Sequence, residues 1–124
     1  MKIYTTLPER LKPYFNVELK QYKQALNADQ LHIAWEHLER AHILGQRYPF
    51  AHISVHWKML KFGWKLGCRK EIWVQTRRLV SSGFESLFGS IPMGNPGGSN
   101  VSSLMSFPVD PHIRGIFAEA GVNH

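Results

Sequence analysis

Residues Glu36–His56, EHLERAHILGQRYPFAHISVH, decide how this chain folds. The pair Tyr48-Pro49 divides the stretch into two helical segments. On an α-helix each residue advances about 100°. With Leu38 at the centre of the first apolar stripe, Leu31, Ala34, Ala41 and His42 fall within roughly 60° of it. Past the turn, His52 and His56 stand four residues apart and share a stripe with Ile53, Met59, Leu60 and Gly63. Three imidazoles are thereby aimed inward, where each needs a partner. Glu39, three residues before His42, falls on the flank of the stripe beside Trp35 and Gln46.

Working toward the N-terminus, Leu7, Leu11, Tyr14, Phe15, Tyr22 and Ala25 recur at three- and four-residue spacing, which predicts a helix from near Pro8 to Leu26. Pro13 suits an early position, so the regular helix can begin there. Glu18 stands at the centre of this stripe, where a carboxylate must be paired, hydrogen-bonded or coordinating. Asn27-Ala28-Asp29 reads as a turn, with Asp29 as N-cap of a second helix over Gln30–Gly45 that Gly45 closes.

Toward the C-terminus, a third helix runs from Pro49 to Leu66, with Gly67 beyond it. A fourth covers Arg69 to about Phe88, with Ile72, Thr76, Leu79, Val80 and Gly83 on one face and no inward carboxylate. The stretch from Gly89 to Val109 is rich in Gly, Pro and Ser and reads as a long loop. Asp110-Pro111 then caps and opens a short helix to Ala120. No β-alternation of useful length occurs. The expected fold is all-α: four antiparallel helices, a long Gly/Pro loop and a short C-terminal helix, in one domain over 1–124. The same helices can be arranged as tetratricopeptide-like hairpins, although only about one and a half units fit.

Composition bounds the function classes. The chain is 44% apolar and 19% charged, ordinary for a globular protein. Its net charge is +6, so acidic partners come into view, yet no Lys/Arg run exceeds two. Lys58, Lys61 and Lys65 form one row on the third helix without the interleaved aromatics that nucleic acid binding wants, so nucleic acid is disfavoured. The single cysteine, Cys68, excludes an internal disulfide and a four-cysteine zinc site, and points to a reducing cytosol. The N-terminal MKIYTTLPERLKPYF lacks the apolar core of a signal peptide, and no apolar run approaches bilayer length. A cytoplasmic protein with no membrane span is expected.

Carboxylate and imidazole together suit zinc, iron or manganese. Glu18, Glu39, His42, His52 and His56 are the candidate ligands, with Glu39 as ligand or as orienter of one. Glu39-x-x-His42 is the helical unit of carboxylate-bridged di-metal bundles. A second such unit is missing, so a mononuclear site fits better. The competing account is a polar core network without a metal. Glu36 and His37 point off the stripe toward solvent, His32 is ambiguous, and His112 and His124 read as exposed. Trp35, Trp73 and Met59 read as core. Gly94, Asn95, Gly97, Gly98 and Asn100 form a loop that would either fold over the histidines or serve as a tight crossover. A non-enzymatic module docking an acidic or helical partner through Trp57, Trp64 and the lysine row is the alternative function, and a homodimer burying the aromatic faces ranks third.

HLERAHILGQ, HISVHWKML and GNPGGSNVSS, in this order and spacing, resemble a small bacterial family catalogued as domain of unknown function 3703. The likeness covers about residues 8 to 120, with Pro96 standing where the family commonly has Thr. It implies a compact helical cytoplasmic domain and supplies no activity. It marks His42, His52, His56 and Asn95 as motif positions without roles.

Overall fold

The structure is a computed structural model that describes residues 6–88 and 108–122, the side chains of 80–88 excepted. Five helices occur among these residues, and no strand: α1 (Lys12–Asn27), α2 (Leu31–Gly45), α3 (Pro49–Leu66), α4 (Arg69–Phe88) and α5 (Pro111–Glu119). The expected all-α class holds. The glycine-rich loop of Gly94 to Asn100 lies outside the described residues.

Packing follows chain order. α1 lies on α2, α2 on α3 and α3 on α4, while α5 returns to α2. The core joins Leu11, Phe15, Tyr22 and Ala25 of the first helical region to Ala34, Leu38, Ala41 and Leu44 of α2 and to Val55, Met59 and Phe62 of α3. Ile113, Ile116 and Phe117 of α5 close it. No helix among the described residues is long and apolar enough to cross a membrane.

The helix ends explain three departures from expectation. The chain between Pro8 and Leu11 is a turn, with the Leu11 and Lys12 amides donating to the Pro8 carbonyl, and α1 follows it with Pro13 in its first turn. Asp29 does not cap α2. It adopts φ 59° just past α1, and the Gln30 amide donates to the Ala25 carbonyl at 2.9 Å, a Schellman closure that takes Asp29 as its left-handed residue. Gly45 does not close α2 through a left-handed turn. A Cβ there would lie 2.9 Å from Phe15 Cε2 and 3.0 Å from Ala51 Cβ, so its small size lets α1, α2 and the start of α3 meet. Gly67 does end α3 at φ 69°, and Asp110 does cap α5, its carboxylate accepting from the His112 amide.

Candidate metal centre

The reversal between α2 and α3 builds the site. His42 sits in the last turn of α2. Only Gln46, Arg47 and Tyr48 separate the two helices, and Tyr48 is extended ahead of Pro49, as a residue preceding proline must be. α3 therefore folds straight back and brings His52 and His56, one helical turn apart, against His42. All three are buried, at 4, 6 and 2% exposure.

The three Nε2 atoms face one another. His42–His52 is 3.0 Å, His42–His56 3.1 Å and His52–His56 2.9 Å. Each Nε2 is either a donor (N–H) or an acceptor (lone pair), never both. Three atoms of two kinds, all in mutual contact, must include at least one pair of the same kind. One of the three contacts is thus lone pair against lone pair, or N–H against N–H, at hydrogen-bond distance.

His56 fixes part of the answer. Its Nδ1 lies 2.5 Å from Gln75 Oε1, an acceptor, so Nδ1 carries the proton. Burial, helped by the nearby Arg78 guanidinium, holds its pKa down to about 4 against the Gln75 hydrogen bond. At neutral pH the His56 Nε2 therefore presents a lone pair to its two neighbours. Gln75 is itself held, its Nε2 donating to Glu71 Oε1 at 2.7 Å. Both α4 residues are buried. Gly63 makes room for Glu71: a Cβ on it would lie 3.1 Å from Glu71 Cβ.

The expected ligand set divides. His42, His52 and His56 converge as a group able to hold a metal ion, their ligand atoms within 4.8 Å of one another. Glu18 is buried elsewhere, accepting from Arg40 Nε at 2.9 Å and from His37 Nδ1 at 2.8 Å. Arg40 also reaches the Nδ1 of His112, which is exposed as expected. Glu39 is half-buried beside the Trp35 indole, which hydrogen-bonds it, and faces Glu36 and Glu71. Burial raises its carboxyl above the usual range, with the Trp35 bond opposing.

Four side-chain expectations need correction. His37 is not solvated but binds Glu18, because α1 covers that side of α2. α4 does carry an inward carboxylate, Glu71, and its buried face is Glu71 and Gln75, with Thr76 exposed. Trp73 is 66% exposed, not core, whereas Met59 is fully buried and Trp35 packs on Phe62 at 5.2 Å between ring centroids. Ile53 is exposed, because the inward face of α3 runs through His52, Val55, His56, Met59, Phe62 and Gly63.

Sequence reasoning missed Gln75 and Glu71. Their four-residue spacing was visible. An apolar stripe placed on Ile72 and Leu79 hid it, since an amide and a carboxylate read as outward when no partner is known.

A family model described as a protein of unknown function (DUF3703) matches residues 9–117, most of the chain. No curated protein and no solved structure matches.

Proposed function

This chain belongs to the DUF3703 family, a membership that brings no chemistry with it, and from the geometry of its interior we propose that it is a metal-binding helical domain. The ligands are Nε2 of His42, His52 and His56. The supporting observation is the set of three mutual Nε2 contacts at 2.9–3.1 Å, of which at least one is a repulsive like pair. A cation that accepts all three lone pairs turns each repulsion into a bond. Zinc–nitrogen bonds of about 2.0–2.1 Å in a tetrahedron place nitrogens roughly 3.3 Å apart. That is only a few tenths of an ångström wider than the spacing here.

Three neutral imidazoles favour zinc over the harder manganese and iron, whose sites draw more on carboxylate oxygen. The ligands add no negative charge, so the ion keeps its full charge at the remaining position. A water bound there would be acidified, as at other three-histidine zinc sites. The Gln75 carboxamide, held by Glu71, fixes the His56 tautomer as an orienting group outside the ligands.

Protein purified without a histidine tag, stripped and reloaded with zinc, is expected to retain one equivalent per chain by plasma mass spectrometry. His52→Ala and His56→Ala are expected to lose it. Substoichiometric metal in the wild type after reloading refutes the proposal.

A further inference from the structure

α3 is apolar on two sides. Its inner face is covered by α2 and α4. Its outer face carries Phe50, Ile53, Trp57, Leu60 and Trp64, in which the three aromatics recur every seven residues and an aliphatic follows each of the first two by three. Together they make one continuous apolar stripe along the outer side of the helix. Phe50 is 71% exposed, Ile53 36%, Trp57 52% and Trp64 71%, with Leu60 half-covered. The seam is about 21 Å long, from 1.5 Å per residue.

We infer that this seam is the interface of a homodimer, in which α3 packs antiparallel on α3 of a second copy about a two-fold axis at Trp57. The spacing suits a second copy. Phe50 and Trp64 lie seven residues either side of Trp57. An antiparallel two-fold at Trp57 therefore sets Phe50 against Trp64 of the other copy, Trp57 against Trp57, and Ile53 against the methylene stem of Lys61. The same surface patch serves both chains, as an isologous contact requires.

Charge chooses the direction. In a parallel pair Lys61 would face Lys61. In the antiparallel pair the two are displaced by eight residues, about 12 Å along the helix, which is beyond the screening length of roughly 8 Å at physiological salt.

The area falls at the small end, as suits an association that reverses on dilution. The three aromatics alone leave roughly 400 Å² of side chain uncovered. A standard interface takes about 800 Å² from each partner, and Ile53, Leu60 and the lysine stems contribute the rim.

Sedimentation velocity on the full chain, between about 1 and 100 µM, is expected to show a mass of two chains that dissociates on dilution. Trp57→Glu places two like charges at the axis and is expected to weaken association at least tenfold, leaving a single-chain mass. Its helicity should match the wild type, because Trp57 lies outside the core; Trp64→Glu gives the same reading should that variant misfold. Phe50→Lys and Trp64→Glu are each expected to dissociate alone and to associate when mixed, since only the antiparallel register sets these positions opposite. A single-chain mass for the wild type throughout, or a dimer indifferent to Trp57→Glu, overturns the inference. So does a single chain that binds phosphatidylglycerol vesicles through the same side chains, which would assign the seam to a lipid surface.

Discussion

Adding zinc to the metal-stripped protein should raise its melting temperature by about 10–20 °C near neutral pH. The ground is the crowded nitrogen triangle. Without an ion the native state holds at least one like contact between buried polar atoms, a strain of order 1–3 kcal/mol that the unfolded chain, hydrated, does not share. An ion bound only by the native state stabilises it by mass action, about 4 kcal/mol at a thousandfold excess over the dissociation constant. For a chain of this size each kcal/mol moves the midpoint by roughly 3–5 °C. Proton release supplies a second reading from the same titration. His56 sits near pKa 4 and already presents a lone pair at neutral pH, so between pH 5 and 7 it gives up no proton on metal capture. Calorimetry in two buffers of different ionisation enthalpy should therefore show fewer than three protons released per ion. Scanning calorimetry with zinc and with chelator, repeated on His52→Ala, decides the matter. A midpoint unchanged by zinc, or an equal shift in the variant, refutes the reasoning.

The metal-free protein should lose stability as pH falls. The unfolded His56 takes a proton near 6.5 and the folded one only near 4, so between these values the unfolded state binds more protons and acid favours it. The expected loss is about 3 kcal/mol across the window, visible as a falling urea midpoint that is flatter in His56→Gln. Gly45→Ala should cost roughly 1–3 kcal/mol, because the added methyl meets Phe15 Cε2 at 2.9 Å and Ala51 Cβ at 3.0 Å with backbone close behind. Equal melting curves would mean that α1 and α3 shift freely. Asp29→Gly should raise stability by about 0.5 kcal/mol, since φ 59° costs an aspartate more than a glycine; an unchanged or lower denaturation midpoint would count against that account.

Helix order, the Tyr48-Pro49 reversal and the inward aim of His42, His52 and His56 were legible because they rest on local periodicity and on proline geometry. The partners of polar groups were not. Glu18 was readable as buried, yet which cations met it depended on how α2 turns toward α1, and a helical wheel drawn for α2 alone sends His37 outward. Gln75 and Glu71 were obscured for a related reason. The face of α4 was sought among its apolar residues, whereas the neighbour it had to satisfy, His56, is itself polar. Ile53 and Trp73 failed in the opposite sense: large apolar side chains were assigned to the interior when the helices had surface left over for them.

Burial of polar groups does not by itself separate a structural network from a ligand site, and this protein buries two polar clusters that both draw on α2. The separation lies in donors and acceptors. Around Glu18 the account closes within the protein: the carboxylate accepts from the Arg40 guanidinium and the His37 ring, and a second arm of Arg40 donates to His112. Every contact there joins unlike groups, so nothing further is called for, and the cluster reads as an internal ion pair that ties α1 to α2. Around His42, His52 and His56 no choice of tautomers gives three unlike contacts, because a triangle cannot be coloured with two kinds without a repeat. Protonating a ring does not help, since His56 resists it down to about pH 4 and a second inward N–H would face a first. A shared electron-pair acceptor would remove every like contact without moving the nitrogens, and that consideration, more than the number of histidines, supports the site proposed between α2 and α3.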